Sequence, residues 1–239
     1  MLKFYYKESR MKMNLRLRIL AQMVDQEARV ADIGTDHAYL PIQLVKEGKV
    51  DYAIASDVAA GPLENAEKDI IAAGLKNKIE TRLGSGLETI SAKDKIDTVV
   101  IAGMGGKLMT NILNEAWSRN FHFATLILEP NVGEPGVREW LSAHKYQIIN
   151  EKIIAEAGHI YELIKAQELE NTISLTDRQI FFGPEILKEK NQVFYQKWRD
   201  QLAYHQRLLT NLNKAQEKDG AHIKQIEYEM KMIEEEIND

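Results

Sequence analysis

Two carboxylates and a single glycine lie close together in the stretch V-A-D-I-G-T-D-H-A-Y-L-P, residues 30–41. Apolar residues lead into Asp32, Gly34 interrupts the run, and apolar residues at helical spacing follow from Ala38. In open α/β sheets such a strand–turn–helix unit is where ligands bind. A pyrophosphate would need several glycines and would be repelled by Asp32 and Asp36. The turn therefore favours a ligand with positive charge, and S-adenosyl-L-methionine fits it better than NAD or ATP, which predicts methyl transfer.

Further candidate residues for such a donor follow the next two predicted strands. Asp57 ends the second strand, about 25 positions after Asp32, where an acid accepts both hydroxyls of a ribose. The alternative for Asp57 is a capping role at the start of the following helix. Gly84 and Ser85 follow the third strand, where the adenine of the donor would lie. Because Ser85 carries no charge, backbone groups are expected to bind the adenine there.

The fourth predicted strand ends in Gly103, Met104, Gly105 and Gly106. This is the position at which the methyl group and its acceptor should meet. Bare backbone lets a flat base approach closely, and Met104 can pack against it. The alternative is a tight turn that needs positive φ angles.

The acceptor side offers His37, Tyr39, Glu129 and Asn131, which are predicted to hold or stack a base. Packing or helix capping is the alternative for His37 and Tyr39. An N-P-P-[YF] sequence, which commonly grips an amino group during its methylation, does not follow the fourth strand. A ring nitrogen such as N1 of adenine already has a lone pair and needs no strong base, so catalysis would consist mainly of placement.

The elements that position these residues alternate between strand and helix five times, and a hairpin around Ala157-Gly158 follows. This predicts an α/β fold, a Rossmann-like class I methyltransferase sheet that is mostly parallel with an antiparallel edge hairpin. From Ile186 to about Gln216, and again from Ile223 to Ile237, apolar residues recur at coiled-coil spacing. We expect a donor-binding domain over residues 1–168 and a C-terminal antiparallel helical coiled-coil hairpin over residues 169–239.

Composition narrows the class of protein further. The 239 residues contain no cysteine, which excludes disulfides and thiol nucleophiles, and no metal site is predicted. No apolar run approaches the roughly 20 residues of a membrane span, and no signal peptide is recognised, so a cytoplasmic protein is expected.

Positive charge is clustered although the net charge is −5. The N-terminal cluster comprises Lys3, Lys7, Arg10, Lys12, Arg16 and Arg18, and the second comprises Lys188, Lys190, Lys197, Arg199, Arg207 and Lys214. We predict that the N-terminal segment and one face of the Lys188–Lys214 helix contact phosphates. Solvated helix faces without a ligand are the alternative.

Four strings in this order, V-A-D-I-G-T-D-H-A-Y-L-P, S-D-V-A-A-G-P-L, I-A-G-M-G-G and L-I-L-E-P-N, resemble the bacterial tRNA (adenine-22-N1)-methyltransferase family. The resemblance implies S-adenosyl-L-methionine as donor, N1 of an adenine at position 22 of tRNA as acceptor, and a helical tail that helps to grip tRNA. It assigns cofactor binding to Asp32, Gly34, Asp36, Asp57 and Gly103 to Gly106.

Two other functions remain open from the sequence. One is a small-molecule class I methyltransferase that dimerises through its coiled coil, and the other is a non-catalytic RNA-binding module. A dinucleotide-dependent dehydrogenase is disfavoured because the first turn lacks the glycine fingerprint.

Overall fold

The computed structural model describes residues 14–172, 174–214 and 219–238. The helices and strands are, in chain order, α1 (Leu15–Met23), β1 (Arg29–Ile33), α2 (Tyr39–Lys46), β2 (Tyr52–Asp57), α3 (Ala60–Ala72), β3 (Ile79–Leu83), β4 (Thr98–Gly105), α4 (Gly106–Ser118), β5 (Thr125–Val132), α5 (Glu134–Ala143), β6 (Tyr146–Glu156), β7 (His159–Glu168), α6 (Asp177–Phe182), α7 (Gln192–Lys214) and α8 (Gly220–Asn238).

The seven strands form one sheet in the order β3-β2-β1-β4-β5-β7-β6. The first five strands in this order pair in parallel, whereas β7 pairs antiparallel with both β5 and β6. The predicted fold class, with its antiparallel hairpin at one edge, is therefore confirmed. Because the strand order reverses between β1 and β4, the carboxyl ends of these strands open a crevice at the switch point.

Both faces of the sheet are covered, as the apolar run of β4 predicts. Val99, Val100 and Ile101 are completely buried. Alternate residues point to opposite faces, so Val99 and Ile101 join the core beneath α4 and α5, while Val100 joins the core beneath α1, α2 and α3. This double cover leaves the carboxyl edge as the part of the sheet at which functional side chains gather.

The C-terminal helices differ from the prediction at one end. Helix α7 begins at Gln192, so the predicted start at Ile186 is wrong. The side chain of Asn191 accepts a hydrogen bond of 3.0 Å from the amide of Phe194 and thereby caps the helix. The predicted end near Gln216 lies outside the described residues. Helix α6 has no counterpart among the predicted elements, although Thr176 and Gln179 form a capping box at its start.

The helical hairpin packs on the β6–β7 hairpin through an apolar cluster that includes Ile153, Phe182, Phe194, Trp198 and Ile233. Helices α7 and α8 run antiparallel, since Lys190 pairs with Glu236 while His205 faces Glu229. The predicted helical hairpin is therefore present, and its seam continues into the sheet domain.

A buried charge network joins the same parts of the chain. The guanidinium of Arg138 donates hydrogen bonds of 2.8 Å to Glu151 and 2.5 Å to Glu162, and it also reaches the carbonyl oxygen of Ile180 at 3.2 Å. Glu162 in turn accepts a 2.7 Å bond from Lys197. Arg138, Glu151 and Glu162 are essentially inaccessible to solvent, so each charge depends on its partners.

Within the described ranges, no helix is long and apolar enough to cross a membrane. No cluster of three or more histidine or carboxylate side chains that could hold a metal ion occurs in that part of the chain either.

Candidate active site

The turn after β1 is tied to the end of β2. The amides of Gly34 and Thr35 both donate to the carbonyl oxygen of Ser56, at 2.8 and 2.9 Å. Gly34 has a φ of +80°, and a Cβ atom there would overlap Cε of Met104. The backbone conformation therefore requires glycine, whereas the overlap involves only the terminal methyl of a flexible side chain. The structure brings the predicted first turn and Met104 together.

The two carboxylates of this turn have different surroundings. Asp32 is buried and hydrogen-bonds to the side chain of Thr35, and burial, with a contribution from Asp57, raises its pKa to about 6. The side chain of Asp36 is 78% exposed at the mouth of the crevice. The first turn thus presents one exposed carboxylate above one buried carboxyl group that titrates near neutrality.

His37 and Tyr39 connect the turn to a neighbouring helix. Nδ1 of His37 lies 2.8 Å from a carboxylate oxygen of Asp69 on α3, and its ring stacks on Tyr39 with 4.9 Å between centroids. These contacts give His37 a packing role, which is the alternative stated for it above. The predicted role of His37 and Tyr39 in holding a base remains a prediction.

Asp57 and Gly84 lie together at the ends of β2 and β3. The amide of Gly84 donates to the carbonyl oxygen of Asp57 at 3.0 Å, and Oδ1 of Asp57 accepts from the amide of Ala59 at 2.7 Å. The N-cap of α3 is Ala59, so the alternative of Asp57 as the capping residue is wrong. Oδ2 of Asp57 makes no hydrogen bond within the described part of the chain, and Ser85 beside it is exposed.

The end of β4 carries a bulge at Gly103. Ala102 pairs with Glu129 and Met104 with Pro130, so Gly103 is an extra residue on this strand, with a φ of +75°. Oε2 of Glu129 accepts the amide of Gly103 at 2.9 Å. Nδ2 of Asn131 donates to the carbonyl oxygen of Gly103 at 2.8 Å. The predicted base-holding pair thus contacts the bulge directly.

Glu129 also contacts Arg16, which belongs to the N-terminal basic segment predicted to contact phosphates. Its side chain is completely buried, and Nη1 of Arg16 forms an ion pair with Oε2. Burial raises the pKa of Glu129 above its usual value, although Arg16 and the Gly103 amide oppose the shift. Oε1 finds no hydrogen-bond partner among the described residues. No sequence signal marks this role of Arg16, because the contact spans 113 positions of the chain.

Gly105 and Gly106 lie against the end of β5. A Cβ atom on Gly106 would lie 2.6 Å from the carbonyl oxygen of Gly133 and 3.0 Å from that of Val132. Close backbone approach is therefore required here, but Gly106 makes it with the end of β5, and the predicted approach of a base to these glycines remains a prediction.

Exposed apolar side chains surround the same edge of the sheet. Four such side chains are 53–73% exposed. They are Val58 after β2, Leu83 at the end of β3, Leu108 in α4 and Val132 at the end of β5. Such side chains suit the flat faces of bases. A carboxylate oxygen left free on Asp57, an acidic first turn and this apolar rim fit an adenosyl group with a positively charged sulfonium.

The basic clusters are distributed differently from the prediction. Lys197 bonds to Glu134 and Glu162 at 2.6 and 2.7 Å, and Lys190 pairs with Glu236 at 2.5 Å, so both lysines face inward. The predicted basic face of the Lys188–Lys214 helix is wrong in this respect. The exposed basic residues of α7 are Arg199, Arg207 and Lys214, which lie within about 80° of one another around the helix.

The N-terminal cluster is also divided. Arg16 is bonded to Glu129, whereas Arg18 is exposed. The remaining members, Lys3, Lys7, Arg10 and Lys12, lie outside the described residues.

The sheet order, the acidic first turn and the acid at the end of β2 are together typical of Rossmann-like methyltransferases. Residues 30–235 match the family model of TrmK, the tRNA (adenine(22)-N(1))-methyltransferase. The chain belongs to this family, which confirms the resemblance seen in the four sequence strings. Its cofactor is S-adenosyl-L-methionine and its reaction is the methylation of N1 of adenine 22 in tRNA.

Individual relatives agree over nearly the whole chain. The tRNA (adenine(22)-N(1))-methyltransferase of Bacillus subtilis is 35% identical over 235 residues, which cover 95% of this chain and 98% of that protein. A Streptococcus pneumoniae protein solved in complex with S-adenosyl-L-methionine is 36% identical, with a TM-score of 0.85 over 94% of this chain and 99% of that one. TrmK of M. capricolum, solved with S-adenosyl-homocysteine, is 30% identical, with a TM-score of 0.82 over 95% of this chain and 98% of its own.

Proposed function

We propose that S-adenosyl-L-methionine is held at the carboxyl edge of β1, β2, β3 and β4 by the residues predicted for it, Asp32, Gly34, Asp36, Asp57, Gly84, Ser85, Gly103, Met104, Gly105 and Gly106. The carboxylate of Asp57 carries this proposal, because one oxygen is fixed by the Ala59 amide while the other is free beside Gly84. A carboxylate in this position can accept both hydroxyls of a ribose. When bound, the donor supplies an electrophilic methyl group.

The acceptor adenine is proposed to meet this methyl group at Met104 and the Gly103 bulge. Met104 lies across the bare backbone of Gly34, and Glu129 and Asn131 hold both polar groups of Gly103. Because N1 of adenine has its own lone pair, these residues have to place the base and exclude water without removing a proton. Methylation leaves the base positively charged, and the exposed carboxylate of Asp36 stabilises that charge.

Replacing Asp57 with alanine is expected to weaken S-adenosyl-L-methionine binding by at least about 100-fold, since two hydrogen bonds to a charged group are lost at about 1.5–3 kcal/mol each. Titration calorimetry measures this affinity, and nucleoside mass spectrometry measures N1-methyladenosine in tRNA. Asp51→Ala is the matched control, because Asp51 precedes β2 at the opposite edge of the sheet and its side chain is 96% exposed. Equal affinities of the two variants would contradict the ribose assignment.

Protonation of Asp32 should make the affinity for the methyl donor depend on pH. The pKa of Asp32 is raised to about 6 by burial and by Asp57, so Asp32 loses its negative charge as the pH falls through that value. A sulfonium ligand binds the ionised form better, and its affinity should therefore decline below about pH 6.

For tRNA, we propose that the exposed basic stripe of α7, formed by Arg199, Arg207 and Lys214, contacts phosphates. These contacts would offset the few kcal/mol needed to draw the target base out of its stack. The proposal also divides the chain into a donor-binding part, residues 1–168, and a tRNA-binding helical part, residues 169–239. The basic N-terminal segment is proposed to add contacts through Arg18.

Reversing the charge of the stripe with Arg199→Glu and Arg207→Glu is expected to weaken tRNA binding at least tenfold and to reduce the slope of log K against log salt by about 2. Affinity for S-adenosyl-L-methionine should not change. Lys224→Glu with Lys231→Glu makes the same charge change on exposed positions of α8 and serves as the control. If both double variants bind tRNA like the wild type, the hairpin serves self-association instead, which sedimentation would reveal.

A further inference from the structure

The N-terminus of α1 is fixed to the β6–β7 hairpin. Both oxygens of Glu156, the last residue of β6, accept backbone amides from α1. The amide of Leu15 donates to one oxygen and the amide of Arg16 to the other, the latter at 3.3 Å. The side chain of Asn14 caps the helix by accepting the amide of Leu17 at 2.9 Å. The position of Arg16 relative to the sheet is therefore determined by backbone contacts.

The side chain of Arg16 extends from this anchor to the carboxyl ends of β4 and β5. Its guanidinium carbon lies 5.3 Å from the ring centroid of Tyr161 on β7, and Nη1 pairs with Glu129. A Cβ atom on Gly103 would lie 3.5 Å from the same Nη1. Only 22% of the Arg16 side chain is exposed, so the guanidinium is enclosed by Tyr161, Glu129 and Gly103.

We propose that Arg16 is a positioning residue for methyl transfer, whose guanidinium keeps Glu129 ionised and oriented so that Glu129 fixes the Gly103 bulge. This role rests on the proposed placement of the acceptor base at Gly103 to Gly106. It differs from the phosphate contact that the basic N-terminal sequence suggests.

The electrostatics of Glu129 make this role necessary. A completely buried carboxylate loses its hydration, which favours the protonated form. The charged groups that face it are Arg16 from α1 and Glu134 from α5, and Glu134 also favours protonation. Tyr161 on β7 contacts the guanidinium of Arg16 through its ring. Among the described residues, Arg16 is the cation bonded to Glu129, so removing it leaves only the Gly103 amide to support the charge.

The test is the pH profile of kcat for N1-methyladenosine formation at saturating tRNA and donor. Arg16→Gln should move the acidic limb of the profile upward by about one pH unit or more, because an opposite charge at this distance lowers a carboxyl pKa by roughly 1–3 units. Arg16→Lys keeps the charge and should restore most of the wild-type limb. Arg119→Gln removes an exposed charge from the far end of α4 and should leave the profile unchanged.

Glu129→Gln completes the test, because an amide does not titrate. This variant should lose the acidic limb, and adding Arg16→Gln to it should have little further effect. The proposal is overturned if Arg16→Gln keeps the wild-type limb while tRNA affinity and its salt slope fall, which is the behaviour of a phosphate contact. It is also overturned if Glu129→Gln retains the limb, a result that does not depend on whether Arg16→Gln folds. A wild-type protein that makes no N1-methyladenosine would instead refute the proposed function.

Discussion

Replacing Arg138 with methionine is expected to lower the free energy of unfolding by about 3–5 kcal/mol. The substitution leaves Glu151 buried without a cation and leaves Glu162 with Lys197 alone, and a buried unpaired charge costs far more than an exposed one. It also removes the bond to the carbonyl oxygen of Ile180, at the start of the segment that leads to α7. We therefore expect the helical hairpin to loosen from the sheet first.

Urea denaturation followed by circular dichroism measures this loss. Arg119→Met is the control, since the same change at an exposed position should cost less than 1 kcal/mol. The stability difference between Arg138→Met and the wild type should shrink as the pH is lowered toward 5, because protonation of Glu151 removes its unpaired charge, whereas Glu162 keeps Lys197 as a partner. If the free energy of unfolding falls by less than 1 kcal/mol at pH 7, the charge network does not hold the helical hairpin on the sheet.

Replacing Gly106 with alanine is expected to reduce kcat at least 100-fold and to cost about 1–3 kcal/mol of stability. The added Cβ would lie 2.6 Å from the carbonyl oxygen of Gly133, and backbone cannot rotate away as a side chain can. The ends of β4 and β5 must then separate, which displaces the Gly103 bulge that Glu129 and Asn131 hold.

Gly136→Ala provides the comparison for this variant. Gly136 lies in α5 with no atom within 4 Å of an added Cβ, so alanine should be neutral or stabilise the protein by up to about 1 kcal/mol. Steady-state kinetics measures kcat, and thermal melting measures the stability, of both variants. Wild-type kcat in Gly106→Ala would mean that the β4–β5 contact does not position the site.

The fold could be predicted because its signals are local. The apolar run of β4, the turn glycines and the Ala157-Gly158 joint each determine a neighbouring element, and their order determines the sheet. The acids at the ends of β1 and β2 could be placed at one edge of the sheet for the same reason, since parallel strands end together. These local signals account for the predicted first turn and for Asp57.

The positions of several charged side chains could not be predicted, because they depend on contacts between distant parts of the chain. Lys197 belongs to a basic stretch in the sequence, yet it lies against Glu134 and Glu162. Arg16 likewise belongs to a basic segment but is bonded to Glu129. Charge along the chain does not show which side chains face inward, because burial of a charge depends on a partner that only the tertiary structure supplies.

The central claim is most directly tested by the position of the methyl group. Purified protein is incubated with labelled S-adenosyl-L-methionine and an unmodified tRNA transcript, and with a second transcript in which adenine 22 is replaced by guanine. We predict labelled N1-methyladenosine in the first transcript, none in the second, and a strong reduction for the first with Asp57→Ala. Equal labelling of the two transcripts, or donor binding without any labelled nucleoside, would contradict the account.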